Sequence, residues 1–424
     1  MKTLLLACLC TIAMAAGYSQ ATYYWVGGAG PVSFTAGANW NTALDGSGSQ
    51  RTIADTTDIL IFNGSNIGGA TPATGLVTAT ITSTKVGQLK LVSNANVLFT
   101  RTGGGTGTLT IAGLTGDDLV IESGSALSLN SASTNGNVQM IIANGSTGLI
   151  SGALSMSNTG QQRITNTTSG NAGALVFTSG SSFTSNITSS SSSYPFGSNT
   201  QSVQKWVVFD AGANLYYEGG WSPMGNNSAF SAIDFRTGSN WYHRATNVIP
   251  SVFGSFFNTK SFANIIVENN ATLASDGPIY RIDTLTIKSG SNFITHSSGQ
   301  TAVLGNVVVD GSLTAPAGST NTIVLAGVSQ SISGSGTITI PSLVVTDNAD
   351  VILNRNITVG TSVNIYGRIN FNGNQIQGAA TFASRVNNTG AGVTGNLTVG
   401  SYQITGVVGT MANLTGLAIS GAGI

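Results

Sequence analysis

Acid–base and metal chemistry needs clustered carboxylates, imidazoles or thiols, and this chain scatters its few such groups. Three glutamates (Glu122, Glu218, Glu268), twelve aspartates and two histidines are spread over 424 residues. Hydrolysis of a glycosidic bond takes a facing pair of carboxyls, and a Ca²⁺ cage takes several oxygens in one place. Asp117 and Asp118 are adjacent, and neighbours on a strand point to opposite faces, so they read as the turn before a strand at 119. Asp347 and Asp350 flank a corner and read as solvated turn residues rather than a cation site. The densest functional-looking patch is Trp241-Tyr242-His243-Arg244, with Asp234 and Glu218 able to fold near it. Together with Trp221, the residues Trp241, Tyr242 and His243 are candidates for contact with a glycan or a partner, because flat rings stack on sugar faces. The competing reading is structural: a lone histidine on a strand packs more often than it reacts. His296 has no evident partner, and "GGAG" and "GGGTGT" lack the lysine and strand–helix setting of a phosphate loop. No repeat carries the aspartates of a Ca²⁺-binding nonapeptide. The expectation is no catalytic residue, no metal and no cofactor.

Both cysteines, Cys8 and Cys10, fall within "LLLACLCTIAMAA", which Lys2 precedes. This is the pattern of a signal peptide over residues 1–21, with small-residue sites at Ala13-Met14-Ala15 and Ser19-Gln20-Ala21. The run is shorter than the roughly 20 apolar residues a membrane span takes. A lipidation box around Cys8 is a weaker alternative, since that cysteine comes too early for a normal apolar region. The mature chain then has no thiol, which excludes disulfides, thiol catalysis and cysteine metal sites together. No later stretch is apolar for long enough to be a transmembrane helix. Charged residues make up 7%, against about 25% in an ordinary soluble domain. Lys plus Arg equals Asp plus Glu, so there is no basic footprint for nucleic acid. At 41% hydrophobic the chain carries too much apolar side chain for a disordered linker.

What must position any such patch is a recurring nine-residue unit. Copies start at 59 ("ILIFNGSNI"), 89 ("LKLVSNANV"), 119 ("LVIESGSAL"), 175 ("LVFTSGSSF"), 207 ("VVFDAGANL"), 233 ("IDFRTGSNW"), 265 ("IIVENNATL"), 285 ("LTIKSGSNF") and 343 ("LVVTDNADV"). Positions one and three are always apolar, the period-two alternation of a strand with one buried face. Position six is Gly or Asn throughout: Gly64, Asn94, Gly124, Gly180, Gly212, Gly238, Asn270, Gly290 and Asn348. These residues enter left-handed backbone at least cost, which predicts an αL corner at each. Position seven is Ser or Ala, and an apolar position nine returns the chain to the core. A β-sandwich would vary its turns from hairpin to hairpin. One corner recurring with one set of preferences favours an all-β fold of the parallel β-helix (β-solenoid) type, expected to be right-handed.

Position four points outward and reads Asp210, Arg236, Glu268, Lys288 and Asp310 in consecutive copies. Stacked strands lie about 4.8 Å apart, so these alternating signs predict one column, a charge ladder that fixes register. Residues 22–58 are rich in aromatics and turn residues and read as an N-terminal cap over the exposed end of the stack. The repeats are assigned to 59–424, with loop excursions near 185–205 and 216–231. The apolar ending "GLAISGAGI" suggests that the chain is truncated.

The opening "YYWVGGAGPVSFTAGANWNT…DILIFNG", with units such as "GNVVVDGSL" and "SQSISGSGTITIPSLVV", resembles secreted β-strand-repeat surface proteins of Bacteroidota. It is also similar to autotransporter passenger and adhesin regions. The resemblance implies a secreted or outer-surface location, often through a type IX sorting domain that is not visible here, and partners among glycans or other surface proteins. "DTT" at 55–57 and "DTL" at 283–285 match a short O-glycosylation pattern of that phylum. The expected function is a structural or adhesive stalk. The alternative is a polysaccharide-binding or polysaccharide-cleaving β-helix.

Overall fold

The computed structural model describes residues 20–52, 55–65, 75–113, 115–131, 136–167, 172–188, 194–197, 205–220, 222–225, 231–245, 261–275, 277, 279–378, 380–385, 392–397 and 404–408. Residues 1–19 of the expected signal segment, Trp221 and the last residues of the chain lie outside them. Among the described residues the secondary structure is strand, apart from a 3₁₀ turn at Gly37–Asn39. No helix there is long and apolar enough to cross a membrane.

The strands assemble into long parallel sheets, an arrangement compatible with a β-solenoid. A first sheet stacks Thr22–Trp25, Ile59–Asn63, Gln88–Val92, Leu119–Ile121, Gly148–Ile150, Leu175–Phe177, Val207–Phe209 and Ile233–Phe235 in chain order. A second sheet begins at Val32–Ser33 and continues through Asn214–Gly219, Asn240–His243, Ser261–Val267 and Ile279–Ile287. From there it carries on by way of Val307–Val309, Gln330–Ser333 and Asp350–Leu353 to Arg368–Asn370. A third, shorter sheet stacks Thr84–Val86, Gly105–Ile111, Gly136–Ile142 and Arg163–Asn166. Alternation places one side chain in two inside. Leu89, Leu91, Leu119, Ile121, Leu175 and Phe177 belong to one continuous apolar core.

At the N-terminal end, Trp25 and Trp40 meet edge to face at 5.0 Å, and Phe34, Phe62 and Phe99 complete the aromatic cluster. Such pairs contribute about 0.5–1.5 kcal/mol beyond their burial. Thr22–Trp25 pairs in parallel with Ile59–Asn63 and antiparallel with Trp40–Asn41. Beside it, fully buried Arg51 and Asp58 form an ion pair at 2.7 Å.

Seven of the nine expected corners have positive φ: Asn94 (62°), Gly124 (81°), Gly180 (80°), Gly212 (79°), Gly238 (85°), Asn270 (58°) and Gly290 (77°). Two sets of φ signs serve them. Glycine corners have it positive only at the second central residue, as in a type II turn. At Ser93-Asn94 and Asn269-Asn270 both central residues are positive, as in type I′. Asn348 is a correction. The Thr346 carbonyl accepts from the Ala349 N–H at 2.9 Å, but neither central residue has positive φ, as in a type I turn that any residue adopts.

Gly64 is the second correction. Four apolar residues in a row, "ILIF", leave the phase of alternation undetermined, and the fold buries Leu60 and Phe62 rather than Ile59 and Ile61. Leu60 faces Leu89, which puts Gly64 opposite Ser93 and one residue ahead of the corner. It is needed there for close approach: a Cβ would sit 2.2 Å from the Ser93 carbonyl oxygen. The excursion expected at 216–231 also starts later. Asn214–Gly219 is a strand, because Leu215 and Tyr217 continue the buried alternation.

Candidate functional site on the outer face of the second sheet

The strands Asn214–Gly219, Asn240–His243 and Ser261–Val267 lie in register, with Leu215, Trp241 and Ile265 opposite one another inside. The inward positions take Trp241 and His243, both 1% exposed. His243 stacks on Tyr217 with centroids 5.3 Å apart, and its Nε2 lies 3.2 Å from the Thr272 carbonyl oxygen. Burial pushes the imidazole pKa down to about 4, partly opposed by that carbonyl contact, so it is neutral near pH 7. Burial also pushes the Tyr217 phenol far up, and its hydroxyl donates to the Gly220 carbonyl at 2.5 Å. Of the expected contact patch, Trp241 and His243 thus belong to the core, Trp221 lies outside the described residues, and Tyr242 stands on the outer face.

Three outward files run side by side there. In the first, Asn264 Nδ2 donates to Asn240 Oδ1 at 2.9 Å, and Asn240 Nδ2 donates to Asn214 Oδ1 at 3.0 Å. Thr284 closes the series with a bond to Asn264 Oδ1 at 2.6 Å. In the second file, Tyr216 and Tyr242 stack at 4.8 Å and 27°. Registered beyond them, the third file contains Glu218, Arg244, Glu268, Lys288 and Asp310, with alternating signs. Arg244 bonds Glu268 at 2.6 Å and lies 3.5 Å from Glu218. Its guanidinium sits 4.2 Å from the centre of the Tyr216 ring and 5.5 Å from that of Tyr242. Burial pulls the Arg244 pKa down, but the hydrogen bond and charge of Glu268 outweigh it, and the net shift is upward.

The single column expected from Asp210 to Asp310 is therefore two. Asp210 and Arg236 pair at 2.6 Å at the end of the first sheet, whose last strand is Ile233–Phe235. Glu268 takes Arg244, not Arg236, as its neighbour, because His243 lies opposite Val267. The nine-residue unit describes a corner between two strands without saying which corner of the rung it is. At 265 its first strand falls in the second sheet, where copies at 207 and 233 place theirs in the first. The outer files had a signal that was missed. "NLYYEG", "NWYHRA" and "NIIVEN" align as Asn, then Tyr or Ile two residues on, then a charge two further.

Other carboxylates among the described residues have separate surroundings. Asp118 is fully buried beside Gln88 Nε2 at 3.3 Å, and its Oδ2 accepts from the Thr147 N–H at 3.2 Å. Burial raises its pKa more than those bonds lower it. Asp350 lies 3.5 Å from Arg368, across from Asp347 on an exposed corner. Half-buried His296 closes a local turn onto the Ser298 carbonyl. Among the described residues, no group of three or more His, Cys, Asp or Glu side chains is gathered closely enough to hold a metal ion. No family model, curated protein or solved structure matches the chain.

Proposed function

We propose that this chain is an exported structural or adhesive surface protein, a right-handed parallel β-helical stalk that residues 22–58 cap. Its work is mechanical: stacked rungs hold the loops they carry, or further domains, away from the cell. The observation that carries this reading is the unbroken parallel file of the second sheet from Val32–Ser33 to Arg368–Asn370. Every rung shares backbone bonds and apolar core with the next, so extension along the axis must break ladders cooperatively. Low charge and a cysteine-free mature chain fit an exported protein that gains its stability from burial and pairing.

No observation favours the polysaccharide reading over this one. Trp241 and His243 lie inside, and the outward tyrosines stack on each other and on Arg244, leaving less free ring face for a sugar. Labelling intact and permeabilised native cells with antibodies to the full chain tests the proposal. Surface labelling of intact cells is expected, and signal that appears only after permeabilisation overturns it.

A further inference from the structure

Three Asn-Gly corners lie within the described residues, at Asn63, Asn144 and Asn372, and the fold treats them differently. We infer that Asn144 is a built-in site of spontaneous deamidation. In this chemistry the N–H nitrogen of the following residue attacks the side-chain carbon of asparagine. A C–N bond forms, the C–NH₂ bond breaks, ammonia leaves with the amide proton, and a succinimide remains. Water then opens either carbonyl of that ring, giving aspartate or isoaspartate without any redox partner. Asparagine is among the labile residues that heat-adapted proteins reduce. A glycine afterwards speeds the attack because it leaves the nitrogen unhindered.

At Asn63 both reacting groups are tied. Its Oδ1 accepts from the Ser65 N–H at 2.9 Å, and the buried Gly64 donates its N–H to the Val92 carbonyl at 3.0 Å. Asn372 is exposed, but its Nδ2 donates to Asn354 Oδ1 at 2.8 Å, and its N–H bonds Asn370 Oδ1 at 3.0 Å. Asn144 and Gly145 are both exposed. Among the described residues, no hydrogen bond engages the Asn144 side chain or the Gly145 N–H. The corner is closed only by the Ser146 N–H to the Ala143 carbonyl at 3.1 Å, and open space surrounds Gly145. Reaction there places a carboxylate on the corner. Isoaspartate also adds one methylene to the main chain between the strands Gly136–Ile142 and Gly148–Ile150.

The test is peptide mapping by mass spectrometry of the full folded chain, incubated warm at mildly alkaline pH beside a synthetic Ala-Asn-Gly-Ser peptide. The peptide holding Asn144 should show the amide-to-acid mass gain before those holding Asn63 and Asn372, and Asn144→Gln should abolish it. Earlier or equal gain at Asn63 or Asn372 overturns the inference. So does the absence of gain at all three while the synthetic peptide reacts.

Discussion

The two halves of the stack solve one packing problem at different widths. Equivalent residues on adjacent rungs are 30 apart at Ala126 and Asn96 and 32 apart at Ser182 and Asn214. The interval falls to 26 at Asn214 and Asn240, to 24 at Asn240 and Asn264, and to 20 at Asn264 and Thr284. Beyond that point it varies, at 25 between Val307 and Ile332 and 20 between Ser342 and Ser362. The core changes with it. Wide rungs bury Trp25, Trp40, Phe62, Phe99, Phe177, Phe209, Phe235 and Trp241, whereas from Ile279 onward the buried aromatics among the described residues are Phe293 and Phe371. A longer loop of chain encloses a larger cross-section, which interior packing at crystal-like density fills with larger side chains. In a narrow rung Val, Ile and Leu from three short strands already meet. Rung length and core side-chain volume therefore tend to fall together along the stack.

The largest test removes a ring from the wide half. Phe177 stacks on Phe209 at 4.5 Å and 3°, and Phe177→Ala should cost about 3–5 kcal/mol. Leu343→Ala in the narrow half should fall toward the lower end of about 2–5 kcal/mol, because a slimmer rung closes more readily around the void. Chemical denaturation of both variants measures the difference. Equal or reversed losses would break the link between rung width and cavity cost.

At the junction of the halves, His243 should make the protein acid-sensitive. Its folded pKa of about 4 lies below the unfolded value of about 6.5. Above the unfolded value both states are neutral and the core loses nothing. As pH falls toward 4 the unfolded chain takes up the proton first, and stability drains by up to about 3 kcal/mol before levelling off. His243→Leu should flatten that slope between about pH 6.5 and 4. A variant whose unfolding midpoint still falls as steeply over this interval would show that the acid response arises elsewhere in the stack.

A smaller contrast separates corners. Gly180 has a φ of 80° with open space around it, so Gly180→Ala should cost about 1–2 kcal/mol from backbone alone. Asn348→Ala, without positive φ, should change stability by less than about 0.5 kcal/mol. The melting temperatures of the two variants give the comparison, and a similar loss at Asn348 would contradict the type I corner.

These corners also show what the sequence could and could not carry. Strand phase was legible wherever polar residues broke the apolar run, as in "LVIESGSAL", and ambiguous in "ILIF", where Gly64 was misplaced. Glycine at position six reported a left-handed turn at Gly124, Gly180, Gly212, Gly238 and Gly290, because little else tolerates it in the middle of a corner. Asparagine did so less reliably, since it suits both type I and type I′ turns. The edge of the rung on which a unit falls is decided by residues far away in the chain. For that reason the column of charges was read with Arg236 where Arg244 belongs. Trp241 and His243 have the residue types of a contact patch, but their alternation with Tyr242 places the two together on one side of the strand, which favours the structural reading.

The outer files stand where the interval shortens from 26 through 24 to 20 residues, which gives them a task that the interior cannot perform. Apolar side chains fill space but tolerate a slip of two residues along a strand, since the same face stays buried. The Asn214–Asn240–Asn264 series and the Glu218–Arg244–Glu268 file lose their bonds on any such slip. Arg244, held by two carboxylates and two rings, should therefore matter more than Arg236, whose pair with Asp210 is largely exposed. Arg244→Ala should lower stability by about 1 kcal/mol and Arg236→Ala by less than about 0.5 kcal/mol, the usual range for surface pairs. High salt should shrink both losses, and the Arg244 loss should survive in part, because its ring contacts remain after the charges are screened. Denaturation of the two variants at low and high salt reads the contrast. Equal losses that vanish together in salt would reduce the junction file to ordinary surface charge and leave the narrowing of the stack to its core alone.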